Sequence, residues 1–273
     1  MRKKVTVSTA LIYAVLLFHT LLCLFPLFWT LLSSLKTNTE ILVDTMQLPS
    51  KIEWQNYVNA WEGGAMLRYY ANTLFVAFAG TVFNIFITSM ATYVLARLRP
   101  SILLYAYFTF GLFLPVYTII LPLFKIVTTL KLSNTLWGLA LVYSVVLISQ
   151  TFFILYGYMR GISREMDEAA MIDGCSLFGT FFRIILPLSL PSLGLVGIFT
   201  FLFCWNEFFL PLVMMGPKYT VVSIAIMNFK DAYTVHYGDM TARIVLSVLP
   251  MLVVYLLFQT SFIKGLTAGA IKG

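Results

Sequence analysis

The sequence predicts an all-α, polytopic membrane protein with six transmembrane helices. Of its 273 residues, 60% are hydrophobic and 11% are charged, whereas a soluble domain carries about 25% charged residues. The mean hydropathy of +0.90 supports the same class. Because so few charges cannot solubilise a body of this size, composition alone predicts a membrane protein. Six long runs without a charged residue then set the number of spans.

Each of these runs provides the roughly 20 residues that a helix needs to cross a bilayer. They are residues 5–35, 69–96, 100–124, 132–159, 184–206 and 244–263. We expect the first run to be a span and not a cleaved signal peptide, because it is too long and no small-residue cleavage site follows it. Prolines in or beside the runs permit kinks. These are Pro26, Pro115, Pro122, Pro211 and Pro250.

The distribution of Lys and Arg predicts the orientation. With the N-terminus in the cytoplasm, the inner segments hold ten of these residues and the outer segments hold eight. The inner segments are also shorter, and their charges crowd the helix ends, where the positive-inside rule acts. Six spans then place both termini in the cytoplasm, together with loop 160–190 and tail 264–273. Two long loops, 37–68 and 214–242, lie outside, where they either rest on an extracytoplasmic partner or are simply solvated.

The inner loop contains the most informative pattern of the chain. It has the form E-A-A-x3-G-x9-I-x-L-P, from Glu168 to Pro187. Ser163 is placed to cap a short helix whose first turn carries Glu165, Asp167 and Glu168 near the positive end of the helix dipole. Gly174 supplies the left-handed residue that commonly follows a helix.

A second short helix is predicted directly after the glycine. Ser176 can cap it, and an apolar stripe recurs at helical spacing and can pack against the chain's own spans. The stripe consists of Phe178, Phe181, Phe182 and Ile185. The pattern therefore predicts a helix–turn–helix hinge with one arm available to a partner and one arm fixed to the membrane helices. The alternative is a cytoplasmic linker without a coupling role.

This loop resembles the EAA loop of importer permeases, which docks onto a cytoplasmic ATPase. The likeness extends over nearly the whole chain to the MalG-type permeases of carbohydrate-uptake ABC transporters. The matching stretches are Ser34-Leu35-Lys36-Thr37, Gln55-Asn56-Tyr57, Asn72-Thr73-Leu74, Ala91-Thr92-Tyr93 with Ala96-Arg97, Leu121-Pro122-Leu123-Phe124, Asn134-Thr135, Trp205-Asn206-Glu207-Phe208 and the tail from Lys264 to Gly273. Two positions depart from the family pattern: Ser163 follows Ile162 where proline is usual, and Cys175 replaces a common alanine.

The resemblance implies a type I ABC importer permease with residues 1–273 as a single transmembrane domain. It assigns ATPase coupling to Glu168, Ala169, Ala170, Asp173 and Gly174. It further implies a dimer of ATP-binding subunits, a second homologous permease, an extracytoplasmic solute-binding protein and a carbohydrate substrate, in a bacterial or archaeal cytoplasmic membrane. Tail 264–273 would run along the ATPase dimer interface, although a frayed terminus is the alternative. Loop 214–242 would probe the sugar cleft of the binding protein.

Polar and aromatic residues near the ends of the spans are candidates for the transport pathway. Glu207 is the one acidic residue expected within a span, and such residues are costly in a membrane and usually face a cavity or a partner. With Asn206 it either lines the pathway or bonds to the partner permease, or else it bonds to a neighbouring helix for packing. Trp205 and Tyr117 could offer faces to a sugar. For Asn72, Asn84 and Gln150, a hydrogen bond between helices is the default expectation.

Several function classes are disfavoured by what the sequence lacks. It contains no G-x-x-x-x-G-K-[ST] motif, so we expect ATP and Mg²⁺ to be used by a separate ATPase and no cofactor to be bound by this chain. His19 and His236 are isolated, so no metal site is expected. The +7 net charge is dispersed over segment edges, which suits topology control better than nucleic-acid binding. Three alternatives to a sugar permease remain. The first is an ABC permease for another solute, such as glycerol phosphate, polyamine or phosphate, and the second is a secondary carrier. The third is a membrane-embedded enzyme, which would need clustered His, Asp or Glu.

Overall fold

A computed structural model describes residues 7–61, 65–216, 219–227 and 235–270, the last fourteen of these by their backbone alone. This described part consists of helices and connecting turns and has no strand. The prediction of an all-α chain is therefore confirmed. Residues 65–68 of the predicted loop 37–68 belong to a long helix, and residues 237–242 of the predicted loop 214–242 belong to another. Residues 62–64, 217–218 and 228–234 of these loops lie outside the described residues.

The helices follow one another along the chain with short connections. They are α1 (Val7–Ser33), α2 (Asn38–Val43), α3 (Gln55–Trp61), α4 (Ala65–Tyr93), α5 (Ile102–Phe110), α6 (Ile120–Thr129), α7 (Leu136–Val146), α8 (Ile148–Arg160), α9 (Glu165–Ile172), α10 (Leu177–Thr180), α11 (Leu186–Leu188), α12 (Leu190–Asn206), α13 (Phe209–Met214), α14 (Val222–Ala225) and α15 (Tyr237–Ala270). Two π-helical turns, Val94–Leu98 and Phe181–Ile185, continue α4 and α10. Two 3₁₀ turns, Gly111–Phe113 and Val116–Ile119, connect α5 to α6.

Three to six membrane crossings are supported by the lengths and hydropathy of these helices. Among the described residues, Leu11–Ser33, Ala65–Leu98 and Tyr237–Leu256 are each long and apolar enough to cross a bilayer alone. Three further candidates are bent pairs, and six crossings result if each pair forms one span. The pairs are Ile102–Phe113 with Val116–Thr129, bent by 97°, Leu136–Val146 with Ile148–Arg160, bent by 49°, and Leu177–Leu188 with Leu190–Asn206, bent by 75°.

Proline explains two of the three bends. Pro115 stands in the break of the first pair, and Pro187 and Pro191 flank the break of the third. Each removes a backbone donor and obstructs the preceding carbonyl, which interrupts the helix. The second pair breaks at Leu147 without a proline.

Two compact units divide the chain. One comprises Met1–Met66 with Ala225–Leu252, and the other comprises Leu67–Ile224 with Val253–Gly273. The first unit contains a polar frame at the end of α1. The Asn56 side chain donates to the carbonyl oxygens of Ser34 and Lys36, both at 2.9 Å, and the hydroxyls of Ser34 and Tyr57 are hydrogen-bonded at 2.7 Å. Two of the stretches that carry the family resemblance thus bond to each other.

In the same unit, the segment that follows α1 begins with a capping box. The side chain of Thr37 accepts from the backbone of Glu40, and the Glu40 carboxylate accepts from the backbone of Thr37. Glu40 also accepts from the hydroxyl and the backbone N–H of Ser50. These bonds, first the one from the Ser50 hydroxyl and then the backbone N–H groups of Thr37 and Ser50, lower the pKa of Glu40 from 4.5 to about 2.

We expect segment 37–50 to open at acidic pH. Because the folded pKa lies below the unfolded value, the hydrogen bonds of Glu40 contribute fully above about pH 4.5 and lose their contribution as the pH falls towards 2. Hydrogen–deuterium exchange of this segment, corrected for intrinsic rates, should therefore accelerate as the pH is lowered from about 4.5 towards 2. In Glu40→Gln the corrected exchange should no longer depend on pH, and an unchanged pH dependence would contradict the assignment.

The second unit has its core around α7 and the middle of α4. Tyr143, Leu139 and Leu210 are buried there together with Val76 and Cys204. The side chain of Asn84 donates to the carbonyl oxygen of Ser144 at 2.7 Å, which confirms the predicted bond between helices. The side chain of Asn72 instead donates to a loop residue, the carbonyl oxygen of Thr220, at 2.9 Å.

Candidate functional site: the EAA loop and its anchor

The EAA loop forms two short helices joined by a tight turn. Helix α9 ends at Ile172, and Gly174 follows with a φ of 75°. The N–H of Gly174 donates to the carbonyl of Met171 at 3.0 Å, and the N–H of Cys175 donates to that of Ala170 at 2.9 Å. This pair of bonds is the Schellman motif that closes a helix through a left-handed residue. The predicted helix stop at Gly174 is confirmed.

The starts of both short helices are set by nearby hydroxyl groups. The Ser176 hydroxyl accepts from the N–H of Gly179 at 3.1 Å and caps α10, as predicted. At α9 the cap position belongs to Arg164, one residue later than expected, and Ser163 instead accepts from the N–H of Glu165 at 3.3 Å. The first turn of α9 carries Glu165, Asp167 and Glu168, as expected from the sequence.

Most of the predicted coupling residues are exposed on this loop. Glu168, Ala169, Asp173 and Gly174 all lie at the surface. Ala170 differs, because it is only 2% exposed and packs against the chain itself. Its small side chain lets α9 approach the body of the protein and does not present a surface to a partner.

Apolar side chains that the sequence did not single out occupy the outer face of α9. Ile172 is 86% exposed, and Met166 and Met171 are also exposed. Met171 and Ile172 share one face of the helix with the acidic side chains of Glu165 and Glu168 and form a mixed apolar and acidic surface there, whereas Met166 lies towards the side of the buried Ala170. Exposed apolar groups rimmed by polar ones are typical of protein–protein contact sites.

Arg97 anchors the loop from beneath. This residue lies in the π-helical turn that ends α4, and it is buried. Its guanidinium donates to the carbonyl oxygens of Met159 at 3.2 Å, Ile162 at 2.5 Å and Ser163 at 2.8 Å. It also forms an ion pair with Asp167 of α9. One side chain thus ties the end of α4 to the end of α8 and to the start of the loop.

A small apolar core supports this anchor. It contains Tyr93, Met159, Phe181 and Ile185, all buried, and the rings of Tyr93 and Phe181 lie 5.1 Å apart. The Tyr93 hydroxyl donates to the carbonyl of Leu177 at 3.3 Å. Both π-helical turns contribute to this core, and such turns occur frequently at functional sites.

The predicted apolar stripe of the second helix is divided between two environments. Phe181 and Ile185 pack inside the chain as expected, whereas Phe178 and Phe182 are exposed. Phe181 and Ile185 are the first and last residues of the π-helical turn, whereas Phe178 lies in α10 before it. Phe178 lies along an apolar groove of about 210 Å³ beside Tyr93 and Leu98.

Glu207 occupies the break between α12 and α13. Its carboxylate accepts from the N–H groups of Phe209 at 2.8 Å and Leu210 at 2.9 Å, so it caps α13. The Tyr117 hydroxyl donates to its second carboxylate oxygen at 3.3 Å, and the Ser223 hydroxyl donates to its carbonyl at 2.8 Å. The carboxylate is thus buried and hydrogen-bonded within the chain.

The other pathway candidates have different surroundings. Trp205 is buried and stacks against Tyr70 and Phe201, with ring centroids 6.5 Å and 6.2 Å away. Asn206 is exposed, and its side chain donates to the carbonyl of Leu202 at 2.8 Å in its own helix. Tyr117 is exposed beside Glu207. The structure thus brings Tyr117 and Glu207 together and leaves Asn206 at the surface.

We expect Glu207→Ala to destabilise the chain by about 1–3 kcal/mol, because the partly buried N–H group of Phe209 and the buried one of Leu210 lose their acceptor. Glu207→Gln keeps an acceptor oxygen and should retain most of the stability. The unfolding temperature of each variant in detergent, followed by tryptophan fluorescence, measures the difference. Equal losses in both variants would contradict the capping role. A Glu207→Gln variant with normal stability and impaired uptake would instead favour a pathway role.

Arg97 is the residue of this site whose contacts sequence reasoning missed. From the sequence it is a topology signal and part of the Ala96-Arg97 match, without a role in the loop. A signal was present, because an arginine at the end of an apolar helix needs a partner once it is buried, and the segment from Glu165 to Asp173 carries four acidic residues. The separation of 70 residues between Arg97 and Asp167 hides their pairing in the sequence.

Apolar helices that are long enough to cross a bilayer, together with an exposed helix–turn–helix loop anchored by Arg97, define a membrane-embedded protein with a surface loop. Residues 85–268 match the family of binding-protein-dependent transport system inner membrane components. The chain belongs to this family of ABC transporter permeases and is a transport component, not a catalytic subunit.

Similar proteins agree with this assignment. The diacetylchitobiose uptake system permease protein NgcG of Streptomyces coelicolor is 32% identical over 96% of this chain and 89% of its own length. The arabinooligosaccharides transport system permease protein AraQ of Bacillus subtilis is 32% identical over 93% and 92%. A chain from the crystal structure of a bacterial ABC transporter involved in the import of the acidic polysaccharide alginate has a TM-score of 0.78. It is 20% identical and covers 93% of this chain and 96% of its own, so it shows the fold alone.

Proposed function

We propose that this chain is one of two permease subunits of an ABC importer that moves a sugar or an oligosaccharide. The observation that supports a carbohydrate substrate is the similarity over more than nine-tenths of the chain to permeases named for diacetylchitobiose and arabinooligosaccharides. The extracytoplasmic binding protein would deliver the sugar, and a dimer of ATP-binding subunits would use ATP and Mg²⁺. This chain contributes half of the pathway and binds no nucleotide.

The geometry of the EAA loop supports a mechanical role in this system. When the ATPase dimer closes, it moves the exposed surface of α9 that carries Met171 and Ile172. Arg97 transmits this movement to α4 and α8, because it bonds to both the loop and the ends of these helices. The second arm continues through the turn Phe181–Ile185 into α12. The spans can then rock between inward-open and outward-open states as connected bodies.

The proposed topology has six spans in a bacterial or archaeal cytoplasmic membrane. It counts each of the three bent pairs as one crossing. Both termini and loop 160–190 face the cytoplasm, and loops 37–68 and 214–242 face the binding protein. Tail 264–273 meets the ATPase dimer; α15 continues as a helix through Ala270, and residues 271–273 lie outside the described residues.

A pull-down in mild detergent tests the assembly. The tagged chain is isolated from its native host, its partners are identified by mass spectrometry, and the eluate is assayed for ATPase activity. We expect a Walker-motif ATPase, a second permease with an EAA loop and a solute-binding protein. The binding protein is then screened with tritiated maltose, cellobiose, xylobiose and raffinose. A chain that is recovered alone and without ATPase activity would contradict the proposal and favour a secondary carrier.

A further inference from the structure

Gln150 is a polar residue in an unusual position. It lies ten residues before Arg160 in the sequence, which corresponds to about 15 Å along a helix and therefore to about half of the roughly 30 Å hydrocarbon core. Its side chain is exposed, and within the described part of the chain its amide forms no hydrogen bond. A polar group at this depth that faced lipid would be costly, so such residues face a water-filled path or another protein.

The neighbours of Gln150 form a small recess between α8 and α12. Thr151 on α8 and Thr200 on α12 supply two further polar side chains, and the exposed ring of Phe199 stands at the rim. The recess has about 10 Å³ of space, which corresponds to one water-sized group. It can therefore admit a single hydroxyl group, while a sugar ring would lie against the exposed rim.

The polar and aromatic character continues along α12. Asn206 lies seven residues after Phe199, a spacing that places both on one face of a helix. Both are exposed. This face of α12 thus carries the amide of Asn206 and the ring of Phe199. Carbohydrate sites need both kinds of group, because sugar hydroxyls bond to amides and the apolar faces of sugar rings pack on aromatic rings.

We propose that Gln150 and Phe199, with the recess between α8 and α12, form a carbohydrate-contact site on the transport pathway of this subunit. Gln150 bonds to a sugar hydroxyl, Phe199 packs against a ring face, and one hydroxyl enters the recess beside Thr151 and Thr200. The inference rests on the proposed function, because it takes the substrate to be a carbohydrate. A helix of the partner permease is the other occupant that would satisfy Gln150, and the experiment separates the two.

Cysteine accessibility tests whether the path passes this site. Gln150→Cys is made in a chain whose Cys23, Cys175 and Cys204 are replaced by serine or alanine, and the complete transporter is reconstituted in liposomes. We expect a charged methanethiosulfonate reagent to label position 150 in the vanadate-trapped state, and the transported sugar to slow this labelling. Phe78→Cys, at an exposed apolar position on α4, is the control and should stay unlabelled. If the Gln150→Cys variant stays unlabelled, or if its new thiol cross-links to the second permease, the site is overturned.

Transport kinetics then test the contact itself. The probe is whichever of tritiated maltose, cellobiose, xylobiose or raffinose the binding protein retains. Gln150→Leu and Phe199→Leu should each lower uptake at a fixed sugar concentration by about tenfold, the effect of one lost hydrogen bond or ring contact. Phe199→Tyr keeps the aromatic ring and should retain most of the uptake, and the control Phe78→Leu should transport normally and leave basal ATPase activity unchanged.

The two proposals fail in different ways. If the wild-type transporter takes up none of the four sugars, the carbohydrate function and the site are both overturned. If the wild type takes up a sugar and both leucine variants transport it at the normal rate, the function stands and the site alone is overturned.

Discussion

Uptake driven by ATP should fall at least tenfold in Arg97→Ala, with the loop destabilised by about 3–5 kcal/mol. The substitution leaves Asp167 without its cation and removes three bonds to the backbone between Met159 and Ser163. A half-broken buried ion pair loses energy of this size because the remaining charge is desolvated and uncompensated. The ATPase should still be recruited by α9, but its movement should no longer reach α4.

Reconstituted transporter gives the decisive comparison for Arg97. Uptake and ATPase activity are measured on the same liposomes, and exchange of deuterium into loop 160–174 reports the local stability. Arg99→Ala is the matched control, because Arg99 lies two residues away in the same turn region and is exposed. Arg97→Lys keeps the positive charge but replaces the planar guanidinium, which donates to several oxygen atoms at once, with a compact ammonium group. We therefore expect its uptake to lie between those of the wild type and Arg97→Ala. Normal uptake in Arg97→Ala would contradict the anchoring role.

Uncoupling is the expected result of Gly174→Val: ATP hydrolysis continues while uptake falls at least tenfold. Gly174 has a φ of 75°, a conformation that costs an L-residue about 1–2 kcal/mol and a β-branched one more. An added Cβ would meet no atom within 4 Å, so the effect arises from backbone strain and not from a clash. Strain at this position opens the Schellman turn and changes the angle between α9 and α10.

Two variants separate strain from the mere addition of a side chain. Gly174→Asn should be tolerated, since asparagine adopts the left-handed conformation more readily than other residues. Gly157→Val adds the same side chain in α8, where the space around a Cβ is also free and the φ is not positive. It should leave coupling nearly intact. If Gly157→Val and Gly174→Val uncouple equally, the turn at Gly174 has no special role.

Features that depend on neighbours in the chain were predictable from the sequence. The stop at Gly174, the cap at Ser176 and the acidic first turn of α9 each involve atoms only a few residues apart, so local patterns are sufficient to predict them. The membrane class follows from composition. Proline permits a kink because it cannot donate within a helix; a break is present at Pro115, whereas Pro26 and Pro250 lie inside continuous helices.

Features that depend on distant contacts were decided by the tertiary structure. Arg97 meets Asp167 across 70 residues, and Tyr117 meets Glu207 across 90. Ala169 and Ala170 are equivalent by sequence, yet only the second is buried, because the direction of each side chain depends on how α9 lies on the chain. Phe178 and Phe181 belong to one predicted apolar stripe, yet only Phe181 is buried, and the π-helical turn that begins at Phe181 is not predicted by any residue pattern. The sequence alone therefore determined that the chain is a membrane protein and that loop 160–190 contains two short helices joined at Gly174. Packing between distant segments decided which residue anchors this helix–turn–helix and which of its faces remain exposed.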